Sequence, residues 1–217
     1  MDIFEIMKER HSVRQYTDKV IEPEKRAIIN ELTEEINKST GLHIQVFFDE
    51  PKCFDSMVAH YGSFTGVNNY IALVGKKSQN LDESLGYYGE KLVLKAQELG
   101  LNTCWVALNH GKSKAIINKG EKQICIIALG YGKTKGVPHK SKSIADVSNY
   151  KKTMPEWFEK GVSAALLAPT AINQQKFCFE LKADGSVKAS HGKGFYTKLD
   201  FGIVKYHFEV VSGVKLY

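Results

Sequence analysis

Arg10-His11-Ser12-Val13-Arg14 sets two guanidinium groups, an imidazole and a hydroxyl within five positions. Side chains alternate along an extended backbone, so Arg10, Ser12 and Arg14 would share one face. Guanidinium forks and a hydroxyl on one side suit an oxyanion, phosphate foremost. A solvated basic stretch has the same composition, and only other segments can decide between the two. His139-Lys140-Ser141-Lys142-Ser143 is a second cationic, hydroxyl-bearing loop. Ala168-Pro169-Thr170-Ala171-Ile172-Asn173-Gln174-Gln175 holds small residues, a hydroxyl and three amides, with no acid and no histidine. Amides and backbone N–H groups match the carbonyl and N–H edges of a planar heterocycle, and they are poor general acids or bases. A helix-ending turn with Asn173 as a local cap accounts for the same residues.

The elements that must position these segments can be read from spacing. Ile3, Phe4, Ile6 and Met7 fall at helical intervals, so a short helix over Met1–Glu9 delivers the arginine segment. Glu22-Pro23-Glu24 opens a second helix, and Gly41 ends it. His43–Phe48 alternates as a strand, and a loop over Phe64–Asn69 enters another at Tyr70–Val74. Leu85–Leu99 is a long helix with Leu85, Tyr88, Leu92, Val93, Ala96 and Leu99 inward and Gly100 at its C-terminal cap. Thr103–Leu108 and Gln123–Leu129 are apolar strands, and Gly130–Ser143 is a glycine- and lysine-rich loop. Met154–Leu167 is a helix. Phe177–Leu181, a turn at Ala183-Asp184-Gly185 and Val187–Ser190 form a hairpin. Leu199–Tyr206 is a helix, and His207–Val211 is its end or a closing strand. Glu22–Phe48 and Met154–Leu181 share an order of proline, helix, loop and strand. Each is followed by a glycine-bearing helix, Leu85-Gly86-Tyr87 in one case and Leu199-Asp200-Phe201-Gly202 in the other. The order suggests two pseudo-symmetric half-units, 1–150 and 151–217, within a single domain of 217 residues.

Composition bounds the answer. The length allows one substantial core or two lobes sharing one. No run of about 18 apolar residues is present, so no membrane helix is expected. The opening residues, with Asp2, Glu5 and Lys8, do not make a signal peptide. Cys53, Cys104, Cys125 and Cys178 form no CxxC pair, which argues against zinc and for a reducing, cytoplasmic setting. Cys104, Cys125 and Cys178 lie in apolar runs and read as buried thiols. The formal charge of +6 raises nucleic acid as a partner. The lysines are spread along the chain, however, and one anionic small-molecule site explains the balance as well.

Four segments together resemble the FMN-dependent nitroreductases. Arg10-His11-Ser12-Val13-Arg14 is similar to that family's N-terminal basic-serine pattern, and Ala168–Gln175 to its Ala-Pro-Ser-Xaa-Xaa-Asn-Xaa-Gln pattern. Leu99-Gly100-Leu101-Asn102-Thr103-Cys104-Trp105 resembles its helix-turn-strand passage. Gly130-Tyr131 followed by Lys140-Ser141-Lys142 resembles its late phosphate clamp, with lysine in place of arginine. The Ala-Pro segment usually comes early and is presented by a partner subunit. Here it comes late, as in a compact, rearranged branch of the family.

The resemblance implies an α+β fold with a mixed or antiparallel sheet flanked by helices, and FMN as cofactor. Arg10, His11, Ser12, Lys140 and Lys142 would hold its phosphate and ribityl chain, and Arg14 its pyrimidine edge. Pro169, Thr170, Ala171 and Asn173 would line the ring or phosphate side. Asn69 matches an asparagine that contacts the flavin in relatives. Electrons would pass from NADH or NADPH to a flat acceptor such as a nitroaromatic or quinone, with no side-chain nucleophile and no metal. Tyr61, Phe64, Tyr70 and Trp105 are candidate lining residues or core. His60, His110, His191 and His207 are surface or structural positions. A homodimer or a pseudo-dimeric monomer is implied, with neither nucleic acid nor membrane as partner. The alternative is a non-catalytic or degenerate flavin-binding protein.

Overall fold

The structure is a computed structural model describing residues 2–55, 59 and 63–216. The chain divides into two compact units. One comprises Glu9–Leu81 and Leu92–Pro138, the other Met1–Lys8, Asp82–Lys91 and His139–Tyr217. His60 and Tyr61 lie outside the described residues.

The first unit is built on a four-stranded antiparallel sheet of order β1-β2-β4-β3, with β1 at Gln45–Phe47, β2 at Asn69–Lys76, β3 at Asn102–Val106 and β4 at Glu121–Gly130. Seven of the eight residues of β2 are buried, with only Lys76 exposed. A strand covered on both faces reads as a continuous apolar run, as Tyr-Ile-Ala-Leu-Val does here. Helix α1 (Ile3–Glu9) leads into this unit, which holds all of α2 (Pro23–Thr40). Gly41 ends α2 at φ 72°, its N–H donating to the Asn37 carbonyl at 2.9 Å. Phe64 and Tyr70 belong to the core, 3% and 0% exposed. Their rings pack with Phe54 at centroid distances of 5.3 and 6.3 Å, and Tyr70 stacks on Phe47 at 4.9 Å. Of the described aromatic candidates for a site lining, Trp105 alone keeps partial exposure.

The second unit contains residues 82–91 of helix α3 (Leu81–Glu98), together with α4 (Ile144–Val147), α5 (Glu156–Ala165), the hairpin β5 (Phe177–Leu181)/β6 (Val187–His191) and α6 (Thr197–Ser212). His207–Val211 is therefore the last part of a helix, not a strand. Helices α3 and α6 meet backbone to backbone at two glycines. A Cβ on Gly202 would lie 1.9 Å from the Glu83 carbonyl oxygen, and one on Gly86 would lie 2.0 Å from that of Leu199. The sequence reading marks both glycines without their use: only hydrogen at these positions lets the helices approach so closely. Behind them His207, fully buried, donates from Nδ1 to the Ala164 carbonyl at 2.9 Å, with Nε2 2.9 Å from a Glu90 oxygen. Phe208 stacks on Phe179 at 4.5 Å and closes this core.

Cys53, Cys104 and Cys125 are buried free thiols, whereas Cys178 is exposed. The expectation for Cys178 fails because β5 belongs to a two-stranded hairpin. Its alternation buries Phe177 and Phe179 and turns Cys178 outward. No helix among the described residues is long and apolar enough to cross a membrane.

Candidate anion and cofactor site

The segment after α1 is extended and held on three sides within the first unit. Val13 N–H donates to the Thr103 carbonyl at 3.0 Å, which lays residues 12–13 along the outer edge of β3. Tyr16 N–H donates to the Thr65 carbonyl at 2.9 Å, and Thr65 N–H to that of Arg14 at 3.1 Å. Lys133 N–H donates to the Gln15 carbonyl at 2.8 Å. Gly136, at φ 74°, passes so close that a Cβ there would lie 2.7 Å from the His11 Cβ and 3.0 Å from the Ser12 carbonyl oxygen. The backbone is thus fixed by bonds that leave the side chains of 10, 12 and 14 for other work.

Those side chains share one buried neighbour, Cys104. The Cys104 thiol has its pKa raised by burial. Against that act the charge of Arg14, a hydrogen bond with the Ser12 side chain and the charge of Arg10. Both charges acting on this thiol are positive. Arg10 is itself 3% exposed. The Tyr16 phenol is pushed well up by burial and further by Cys104, with Arg14 opposing. Its hydroxyl is buried without a hydrogen-bond partner among the described residues. Arg10, Ser12 and Arg14, with the orphaned Tyr16 hydroxyl in the field of Arg14, are a donor set that fits a phosphate-bearing ligand. Asn69 is engaged differently. Its Oδ1 accepts from Asp49 N–H at 3.1 Å, and its Nδ2 donates to the Leu129 carbonyl at 3.3 Å.

In the second unit the lysine loop and the amide turn are zipped together. Asn173 Nδ2 and Gln175 Nε2 each donate to the Lys140 carbonyl at 2.9 Å. Gln175 Oε1 accepts from Lys142 N–H at 2.8 Å, and the Lys142 ammonium donates to the Gln175 carbonyl at 2.9 Å. His139 Nε2 and Ser141 Oγ both donate to the Leu166 carbonyl, at 3.0 and 3.2 Å. Thr170 Oγ1 accepts from Gln175 N–H at 3.1 Å. Pro169 and Ala171 are half-buried. Ile172, Asn173 and Gln175 have φ of 48°, 55° and 45°, in the left-handed region.

The sequence profile of the family described as "Putative TM nitroreductase" matches residues 2–212. The chain belongs to this family. Solved structures agree on the fold. One from Thermotoga maritima, described as a "putative nitroreductase", superposes with a TM-score of 0.69 at 22% identity, covering 97% of this chain and 83% of that one. One from Bacteroides thetaiotaomicron, described as a "Putative NADH dehydrogenase/NAD(P)H nitroreductase", gives 0.53 at 22% identity over 67% and 95%. A third, from Desulfovibrio desulfuricans and in complex with FMN, gives 0.54 at 18% over 71% and 99%. No curated protein matches the chain.

Two residues that hold the amide turn escape the sequence reading. Gln175 appears there only as the end of a motif, yet it is 3% exposed and ties the lysine loop to the turn. Asp200, 7% exposed, accepts from Ala171 N–H at 2.9 Å and from Gln174 Nε2 at 2.7 Å. Its signal is a lone carboxylate between Leu199 and Phe201 on an apolar helix.

Proposed function

We propose that this protein is an FMN-dependent oxidoreductase that passes electrons from NADH or NADPH to a flat acceptor such as a nitroaromatic or a quinone. One observation carries the reading: the backbone bonds of residues 13–16 hold Arg10, Ser12 and Arg14 in an extended segment on the edge of β3, next to a Tyr16 hydroxyl buried without a partner among the described residues. Family membership and the FMN complex of the Desulfovibrio desulfuricans relative support it. When bound, FMN supplies hydride acceptance and electron release, so the protein needs no nucleophile of its own. The chain's residues bind and orient. Arg10 and Ser12, with His11 beside them, hold the phosphate, and Arg14 brings positive charge to the cofactor. Lys140, Lys142, Pro169, Thr170, Ala171 and Asn173 contribute through a turn made rigid by its own hydrogen bonds. Asn69 serves by fixing the Asp49 backbone to the sheet.

The test is a flavin titration of the purified protein, followed by anaerobic NADH or NADPH oxidation with a nitroaromatic. Each of Arg10→Ala and Arg14→Ala removes a charge-assisted contact worth about 1.5–3 kcal/mol, which weakens FMN roughly tenfold or more. Unchanged titration curves for both variants would defeat the assignment. Bound flavin without turnover would leave a flavin-binding protein that is not an enzyme.

A further inference from the structure

The 171–175 turn is costly. Ile172 is β-branched, 91% exposed and left-handed at φ 48°, and Asn173 and Gln175 share that conformation. Non-glycine residues stay in this region only where their surroundings over-determine them. Burial of its own side chain does not hold Ile172 there. The anchor is Asp200, in the first turns of α6. Its Oδ1 takes Ala171 N–H at 2.9 Å, just before Ile172, and its Oδ2 takes Gln174 Nε2 at 2.7 Å, just after Asn173. Gln174 Nε2 also donates to the Phe195 carbonyl at 2.8 Å. Asp200 cannot retreat, because Gly202 and Gly86 hold α6 against α3 at backbone contact.

We propose that Asp200 is a positioning residue: its ionised carboxylate, accepting at both oxygens, holds the 171–175 turn in the strained form that contacts the cofactor. The cofactor clause rests on the flavin reading above, while the hold on the turn stands on geometry alone. A carboxylate can accept at both oxygens, but a carboxylic acid turns one of them into a donor. Protonation therefore turns one oxygen into a donor and strips the charge from both acceptors, which weakens both anchors. Burial raises the Asp200 pKa to about 6, against the Ala171 and Gln174 hydrogen bonds that lower it. The other ionisable groups on the surrounding elements are Lys176 and Lys193, joined by a Lys176 Nζ to Lys193 carbonyl bond of 3.1 Å, and His191 of β6, whose ring lies 5.3 Å from that of Phe201. Helices α6 and α3 add Lys198, the Lys205–Glu83 pair, the buried His207–Glu90 pair, Glu209 with Lys215, Asp82 and Lys91.

The experiment compares wild type with Asp200→Asn between pH 5 and 7.5. It uses amide hydrogen exchange of the free protein, corrected for intrinsic rates, and FMN titration. In wild type, Ala171 protection falls about tenfold on acidification with a midpoint near pH 6, as expected for one lost bond to a charged acceptor. The Asn149 amide, which donates to the Phe179 carbonyl, shows no such step. Asp200→Asn mimics the acid form and is weakly protected at every pH. It binds FMN about tenfold more weakly at pH 7.5, and the gap closes by pH 5. The phosphate of FMN titrates in the same range for both proteins, so their ratio cancels it. Ala171 protection that tracks Asn149 at every pH would overturn the proposal, and so would a pH-independent affinity ratio. An exchange step without FMN binding would sink the flavin reading and leave Asp200's hold on the turn intact. If Asp200→Asn does not fold, the wild-type exchange series alone decides.

Discussion

The two loops that carry the cationic residues spend their charge in opposite ways. In the sheet unit, the backbone of residues 12–16 is tied to Thr103, Thr65 and the 131–136 loop, and Arg10, Ser12 and Arg14 all act on the buried Cys104 thiol. In the helical unit, Lys142 uses its ammonium on the Gln175 carbonyl, and the amides of Asn173 and Gln175 are spent on Lys140. The first region is a fixed backbone presenting charge. The second is a strained turn whose polar groups mostly satisfy one another. Similar residue types thus give one region that gathers positive charge and another whose polar groups hold its own shape.

Three measurements press on this contrast, from the largest expected effect to the smallest. Gly202→Ala attacks the support of the strained turn. Its Cβ would meet backbone atoms of Glu83 and Tyr87 at 1.9 and 2.7 Å, which cannot yield as a side chain can. We expect a loss of about 3 kcal/mol or more, seen as a melting temperature lower by roughly 6–12 °C. A near-wild-type melt would show that α3 and α6 part without cost. The second measurement is the pH dependence of stability. Asp200 in the folded chain keeps its proton up to about pH 6, whereas the unfolded chain loses it near 4. The stability contributed by the bound proton is complete below pH 4 and gone above pH 6, a span of roughly 2–3 kcal/mol. Urea unfolding of wild type should lose that much relative to Asp200→Asn between pH 4 and 7. Acid thus eases the burial of Asp200 while loosening its grip on the turn. Arginine does not titrate in this range, so Arg10 and Arg14 have no counterpart to this step. The third is a pair of substitutions. Arg14→Met should leave stability within about 0.5 kcal/mol and weaken FMN tenfold or more. Lys142→Met should cost about 1 kcal/mol of stability, by stripping the Gln175 carbonyl of its donor, with the smaller effect on FMN. Equal effects on affinity would erase the distinction between the regions.

Much of this was legible in the residues where the determinants are local. Helical spacing and the Gly41 and Gly100 ends of α2 and α3 depend on neighbours in the chain. So does the extended run of residues 10–14 that leaves α1. The strand order β1-β2-β4-β3 depends on pairings between residues as distant as Asn69 and Leu129, and no short window carries them. Cys178 misled because an apolar run does not reveal that its sheet has only two strands. Phe64 and Tyr70 misled as possible lining because aromatic type is the same in a slot and in a core. Asp200 and Gln175 stayed hidden because their partners are distant backbone groups, which leave no mark in residue type.

The outward Cys178 has a practical consequence for anyone handling this chain. It is the one accessible thiol of four, and it stands on a short two-stranded ribbon. Air oxidation of two such thiols joins molecules through this sulfur, and the covalent pairs run at twice the mass in sizing experiments. Subunit counting therefore belongs in reductant, with Cys178→Ser alongside.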